Sequence, residues 1–162
     1  MLFACLIVDI GISNPSSLVH SGTTGLPKGV VVQLGNVMNL RNWWVEYFEL
    51  QSDDRCMLFS SLSFIMSIRQ WLPPLTIGAS VTIPKSVFEF ESAIVETQVN
   101  KLVCTPSALA ALDIERIQHL DAIQVAGEAP QKRTMEAWSK KVTNGIHIGL
   151  GPTELCAHGE LF

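Results

Sequence analysis

Charge is scarce in this chain. Asp, Glu, Lys and Arg make up 16% of its 162 residues, no basic run occurs, and the formal net charge is -4. Such a balance leaves no electrostatic footprint for nucleic acid or for an anionic membrane surface, and neither is expected as a partner. CxxC pairs and zinc-ligand spacings are also missing. The four cysteines, Cys5, Cys56, Cys104 and Cys156, are scattered and read as reduced, structural residues. No apolar run reaches the roughly 18 residues of a membrane span, because the segment around Trp71 is broken by Arg69, Pro73 and Pro74. The apolar opening, Met1 to Val8, stops at Asp9 and has neither a basic start nor a small-residue cleavage site, which argues against a secretory signal. Repeats and low-complexity tracts are absent as well. What remains is a soluble, cytoplasmic protein. Its 48% hydrophobic residues suffice for one core, while the length is too short for two ordinary domains.

Short β-rich apolar runs alternate with longer helical patterns, the signature of an α/β fold with a mostly parallel sheet flanked by helices. Ser17 to His20 and Gly29 to Gln33 read as strands on either side of a glycine-rich loop. From Asn36 to Leu50, Val37, Leu40, Trp44, Tyr47 and Phe48 recur at helical spacing, with Asn36 as the expected N-cap. A strand at Cys56 to Ser60 is followed by a helix at Phe64 to Ile77, weakened by Pro73 and Pro74 and ended by Gly78. Next come strand Ala79 to Ile83, helix Phe88 to Gln98, strand Lys101 to Thr105 and a short helix Pro106 to Leu112. Strand Ala122 to Ala126, helix Gln131 to Lys141 and strand Ile146 to Gly149 complete the pattern.

The loop Ser21 to Gly29, SGTTGLPKG, has a composition suited to wrapping phosphates. Gly22 and Gly25 allow close backbone approach, Ser21, Thr23 and Thr24 add hydroxyl donors, and Lys28 adds a mobile positive charge. A Walker A loop needs glycine before its lysine and Ser or Thr after it, but Pro27 and Gly29 stand there. A plain Gly/Thr-rich hairpin is the competing reading.

Together with this loop, AGEAP at Ala126 to Pro130 and GPTE at Gly151 to Glu154 resemble, in order, the nucleotide motifs of the adenylate-forming superfamily. That family includes acyl-CoA synthetases and the adenylation domains of nonribosomal peptide synthetases, and the fungal synthetases look most similar. The resemblance covers residues 17–162, leaving 1–16 as a non-matching segment. It implies that a carboxylic acid is activated as an acyl-adenylate by ATP, with release of pyrophosphate and later transfer to a thiol. Lys28, Thr23 and Thr24 would then hold the departing phosphates, Thr153 the α-phosphate, and Glu154 a magnesium ion. Gly127, Glu128 and Ala129 would face the adenine of ATP or AMP, and Gly151 would belong to the same nucleotide site. Without the resemblance, Gly127 to Ala129 read as a strand-end turn with a solvated glutamate, and Gly151 to Glu154 as a turn and helix cap.

The acyl pocket carried over from the family consists of Ile65, Met66, Arg69, Val103, Gln124, Ala126, Gly149, Ala157 and His158. Ile65 occupies the position where peptide-synthetase domains carry an aspartate for the substrate's ammonium group, so an aryl, hydroxy or fatty acid is expected in place of an ordinary α-amino acid. Arg69 and His158 could answer a second carboxylate or a phenol, or be hydrogen-bonded residues with no ligand role. Leu150 replaces an adenine-stacking aromatic residue, Ile148 an asparagine, and His20 a hydroxyl that helps hold magnesium. The sequence does not include the family's ribose-binding aspartate, hinge, lid lysine or a carrier serine site, and the thiol acceptor is left unidentified. Turnover is therefore expected to be impaired or absent. The alternative is a non-catalytic remnant or interaction module that retains weak nucleotide binding.

Overall fold

The computed structural model describes residues 5–7, 16–21 and 27–149, and of residues 5–7, 16–21, 27–29 and 31 only the backbone. Two sheets are present among them. The first is antiparallel, in the order β1 (Cys5–Ile7), β2 (Ser16–Ser21), β3 (Pro27–Val32). β2 and β3 form a hairpin in which His20 faces Lys28 and Ser21 faces Pro27, so the glycine-rich loop is clamped by two paired strands.

The second sheet has five parallel strands: β4 (Arg55–Met57), β5 (Ser80–Thr82), β6 (Lys101–Cys104), β7 (Ala122–Ala126) and β8 (Ile146–Gly149). Their spatial order is β5-β4-β6-β7-β8. Helices cover both faces, as the alternation of apolar runs implies. α1 (Leu34–Tyr47) and α2 (Met66–Thr76) lie on one face. There Trp44 and Phe48 pack with Cys56, Val103 and Ala122, while Leu40 and Ile68 pack with Val32 of the hairpin. α3 (Phe90–Thr97), α4 (Pro106–Ala111) and α5 (Lys132–Ser139) cover the other. Phe90, Ile94, Leu109 and Trp138 bury Leu102, Cys104, Ile123 and Val125 on that side. Leu102 and Val103 thus point to opposite faces, as successive strand residues must.

Helix ends depart from the sequence reading. The N-cap of α1 lies three residues early: it is Gln33, and Asn36, expected there, sits at the third helical position, where its Oδ1 accepts the Gln33 N–H at 3.1 Å. The side chain still closes the first turn, from inside rather than in front. Pro73 and Pro74 do not end α2. Both rings are buried, so packing outweighs the two ladder bonds that Arg69 and Gln70 carbonyls lose. Gly78, at φ +86°, follows the helix as expected. The helix predicted from Phe88 begins as a 3-10 turn, Val87–Glu89.

Candidate functional site

The chain runs from β4 outward to β5, then returns past β4 to β6 and continues to β8. In open parallel sheets, ligands bind beyond the strand C-termini where the order reverses in this way. Three loops converge on that edge: the one leaving β4, the β6–α4 junction, and the turn after β7. In the sequence, a single residue, Leu150, separates the end of β8 at Gly149 from GPTE.

Gln70 of α2 sets the first loop. This 2% exposed carboxamide accepts the N–H groups of Phe59 and Ser60 at 3.0 and 2.8 Å through Oε1. Its Nε2 donates to Ser60 Oγ and the Val103 carbonyl, both at 3.0 Å. Every donor and acceptor of a buried group is thereby used, and the β4 exit is pinned to β6. Gln70 is not among the residues singled out from the sequence, although its position one turn after Met66, beside Arg69, puts it on the sheet-facing side of α2.

At the β6–α4 junction, Thr105 caps α4 by accepting the Ala108 N–H at 3.2 Å. Glu128, in the turn after β7, reaches back to the same helix start: its carboxylate accepts Ser107 N–H at 3.2 Å and Ser107 Oγ–H at 3.0 Å. The side chain therefore ties AGEAP to α4 and is not simply solvated. Gly127 takes φ +92°, a left-handed conformation suited to glycine, and Gly127, Glu128 and Ala129 are exposed. Their backbone is open to a ligand.

Of the carried-over pocket residues, Arg69, Val103, Gln124, Ala126 and Gly149 are buried, and Ile65 and Met66 half-buried. Ile65 packs beside Val32, Leu40 and Ile68, and Met66 beside Trp44 and Val103. Arg69 donates from Nη1 to Gln124 Oε1 at 2.6 Å, and its guanidinium stands 5.2 Å from the Trp44 ring centre. Ala126 and Gly149 are paired across β7 and β8. The Gln124 carboxamide lies against Gly149 so closely that a Cβ there would stand 2.9 Å from Nε2. Behind Arg69, a cavity of about 10 Å³ between Trp44, Cys56, Lys101 and Val103 has room for about one water and none for an acyl group.

A link unforeseen in the sequence joins α1 to β8. His147 Nε2 stands 3.1 Å from the Asn144 carbonyl, which can only accept, so Nε2 donates there, and Nδ1 is hydrogen-bonded to the Tyr47 hydroxyl at 2.6 Å. Ile148 is half-buried and packs with the α5 side of the core. Ser21 and Lys28 are placed through their backbone, at the mouth of the hairpin. Gly22, Thr23, Thr24 and Gly25 lie outside the described residues, as do Leu150, Gly151, Thr153, Glu154, Ala157 and His158. Among the described residues, no three His, Cys, Asp or Glu side chains stand together as a metal cage, and no helix is long and apolar enough to cross a membrane.

Known proteins share this fold. The family described as AMP-binding enzyme matches residues 20–161. Peramine synthetase A of Epichloe festucae is 32% identical over 87% of this chain and 5% of its own length. Tyrocidine synthase 1 of Brevibacillus parabrevis is 30% identical over 90% of this chain and 14% of its own. The relatives are thus bacterial as well as fungal, and the chain spans a small part of each. In fold, it matches the Vibrio cholerae adenylation domain AlmE, in complex with glycyl-adenosine-5'-phosphate, at a TM-score of 0.74 and 23% identity, over 84% of this chain and 27% of that one. The N-terminal domain of FACL13 from Mycobacterium tuberculosis matches at 0.74 and 22%, over 94% and 40%. The chain belongs to the AMP-binding enzyme family.

Proposed function

We propose that this chain forms the nucleotide-phosphate and acid-binding part of an ATP-dependent adenylate-forming ligase whose substrate is a carboxylic acid other than an ordinary α-amino acid. The observation that carries the reading is the gathering of the AGEAP turn and the end of β8 on one edge of the parallel sheet, beside the buried Arg69 and Gln124. An acid oxygen would attack the α-phosphorus of ATP as the bond to pyrophosphate breaks. Lys28, with Thr23 and Thr24, would hold the leaving group, and Thr153 the α-phosphate. The exposed backbone of Gly127 to Ala129 suits the flat face of adenine. Glu154 would hold magnesium, which would neutralise phosphate charge there. Ile65, apolar and packed beside Ile68, gives an ammonium group no charge partner at its position, which supports an aryl, hydroxy or fatty acid. AMPPNP is bound by one neighbour in fold, the synthetase FmoA3, at a TM-score of 0.74.

Calorimetry and thermal unfolding with ATP, followed by ATP–pyrophosphate exchange over a panel of acids, test the reading. ATP should raise the apparent stability, since a ligand of the folded state must. Lys28→Ala should weaken ATP binding by roughly tenfold or more, as expected for a charge-assisted phosphate contact. Absence of both heat and stabilisation would refute nucleotide binding and leave a non-catalytic module.

A further inference from the structure

The two buried glutamines of the sheet face differ. Gln70 has all its bonds. Gln124, wholly enclosed, has half of them: Arg69 Nη1 donates to Oε1 at 2.6 Å, while Nε2 has no hydrogen-bond partner among the described residues. The orientation of this carboxamide is fixed chemically, because guanidinium can only donate, so the oxygen must face Arg69 and the NH2 group must face away. Nε2 then lies over Gly149, where absence of a side chain makes room for it, at the C-terminal end of β7 and β8. A buried donor without an acceptor is costly and rare in folded proteins. It lies on β7, one strand away from the β4–β6 reversal beside which ligands of open parallel sheets bind.

We propose that the Arg69–Gln124 pair selects an acid whose side chain carries a second acceptor oxygen, a keto or carboxylate oxygen, which takes the free Nε2–H bond. This inference rests on the proposed adenylate-forming function and names the substrate class of that site. Arg69 is a positioning residue: by holding Oε1 it leaves the carboxamide only a donor to offer. Enclosure strengthens the preference, because in dry surroundings an acyl chain lacking the acceptor leaves the donor unsatisfied.

Pairs of acyl sulfamoyl adenosines that differ only by a keto oxygen in place of a methyl group along the acyl chain test it by calorimetry with the full chain. AMP serves as the reference ligand, so turnover is not required. The keto member of at least one pair should bind roughly tenfold or more tightly than its partner. Gln124→Glu keeps an acceptor for Arg69 but removes the NH2 donor, and should abolish that preference. Equal affinities within every pair, with AMP bound, would overturn the inference and leave the nucleotide reading standing. A preference that survives in Gln124→Glu would assign it to another residue and overturn the inference too. If neither AMP nor any analogue binds, the proposed function falls and the inference with it.

Discussion

At the scale of single residues, burial decides what each side chain can do. Cys56 and Cys104 are held as neutral thiols, both pushed up to about 12: Cys56 chiefly by burial and then by Asp54, with Lys101 opposing, and Cys104 by burial, with a backbone hydrogen bond at Leu109 opposing. A raised native value means that the folded chain keeps its proton longer than the unfolded one. The contribution is fully present below the unfolded value near 9 and falls as pH rises through 9 towards about 12. Urea midpoints should therefore drop between about pH 8 and about pH 10.5, and drop less in the double variant Cys56→Val, Cys104→Val. A fall of equal size in that variant would assign the effect to other groups. The core character of these cysteines was legible, because both sit in apolar runs. The carboxamide chemistry of Gln70 and Gln124 was not: both bonding patterns arise from partners 10 to 55 residues away, beyond the reach of any local spacing.

At the scale of elements, the strands were legible because each is a short apolar run between turn residues, and the helix starts were less so because capping depends on one side chain's choice of partner. The ties at the other edge of the sheet were not foreseen. Asn100, just before β6, accepts the Arg55 N–H through Oδ1 at 2.7 Å and donates Nδ2–H to Asp54 Oδ1 at 2.6 Å. Its carbonyl accepts the N–H groups of Asp121 and Ala122 at 2.8 and 3.2 Å, so one residue aligns the starts of β4, β6 and β7. Asp54 is itself buried and takes the Gln51 N–H at 2.8 Å. Asn100→Ala removes both side-chain bonds and leaves a buried carboxylate short of a donor, which should cost about 2–4 kcal/mol. Urea unfolding followed by circular dichroism should show a lower midpoint at an unchanged slope. A loss below about 0.5 kcal/mol, the range of ordinary surface substitutions, would mean that the junction does not set strand alignment.

At the scale of the whole molecule, apolar surface is distributed unevenly. Both faces of the parallel sheet are covered by helices, yet just after its edge strand β5 the chain exposes Ile83, Val87 and Phe88 at 70%, 76% and 95%. Three large apolar side chains within six positions are more than the scattered exposure normal on a protein surface, and clusters of this kind promote association. β5 is only three residues long, which limits strand-to-strand pairing at that edge, so attraction between copies should come from the side chains beyond it. Phe88 is nearly free of contacts and lies in a 3-10 turn with no buried residue, hence its replacement should leave folding almost untouched. Phe88→Ser is expected to change the unfolding free energy by less than about 0.5 kcal/mol while lowering concentration-dependent light scattering. Scattering equal to that of the unaltered chain would place the cause of association elsewhere. A large loss of stability would instead show that the aromatic ring is packed in solution, contrary to its exposure here.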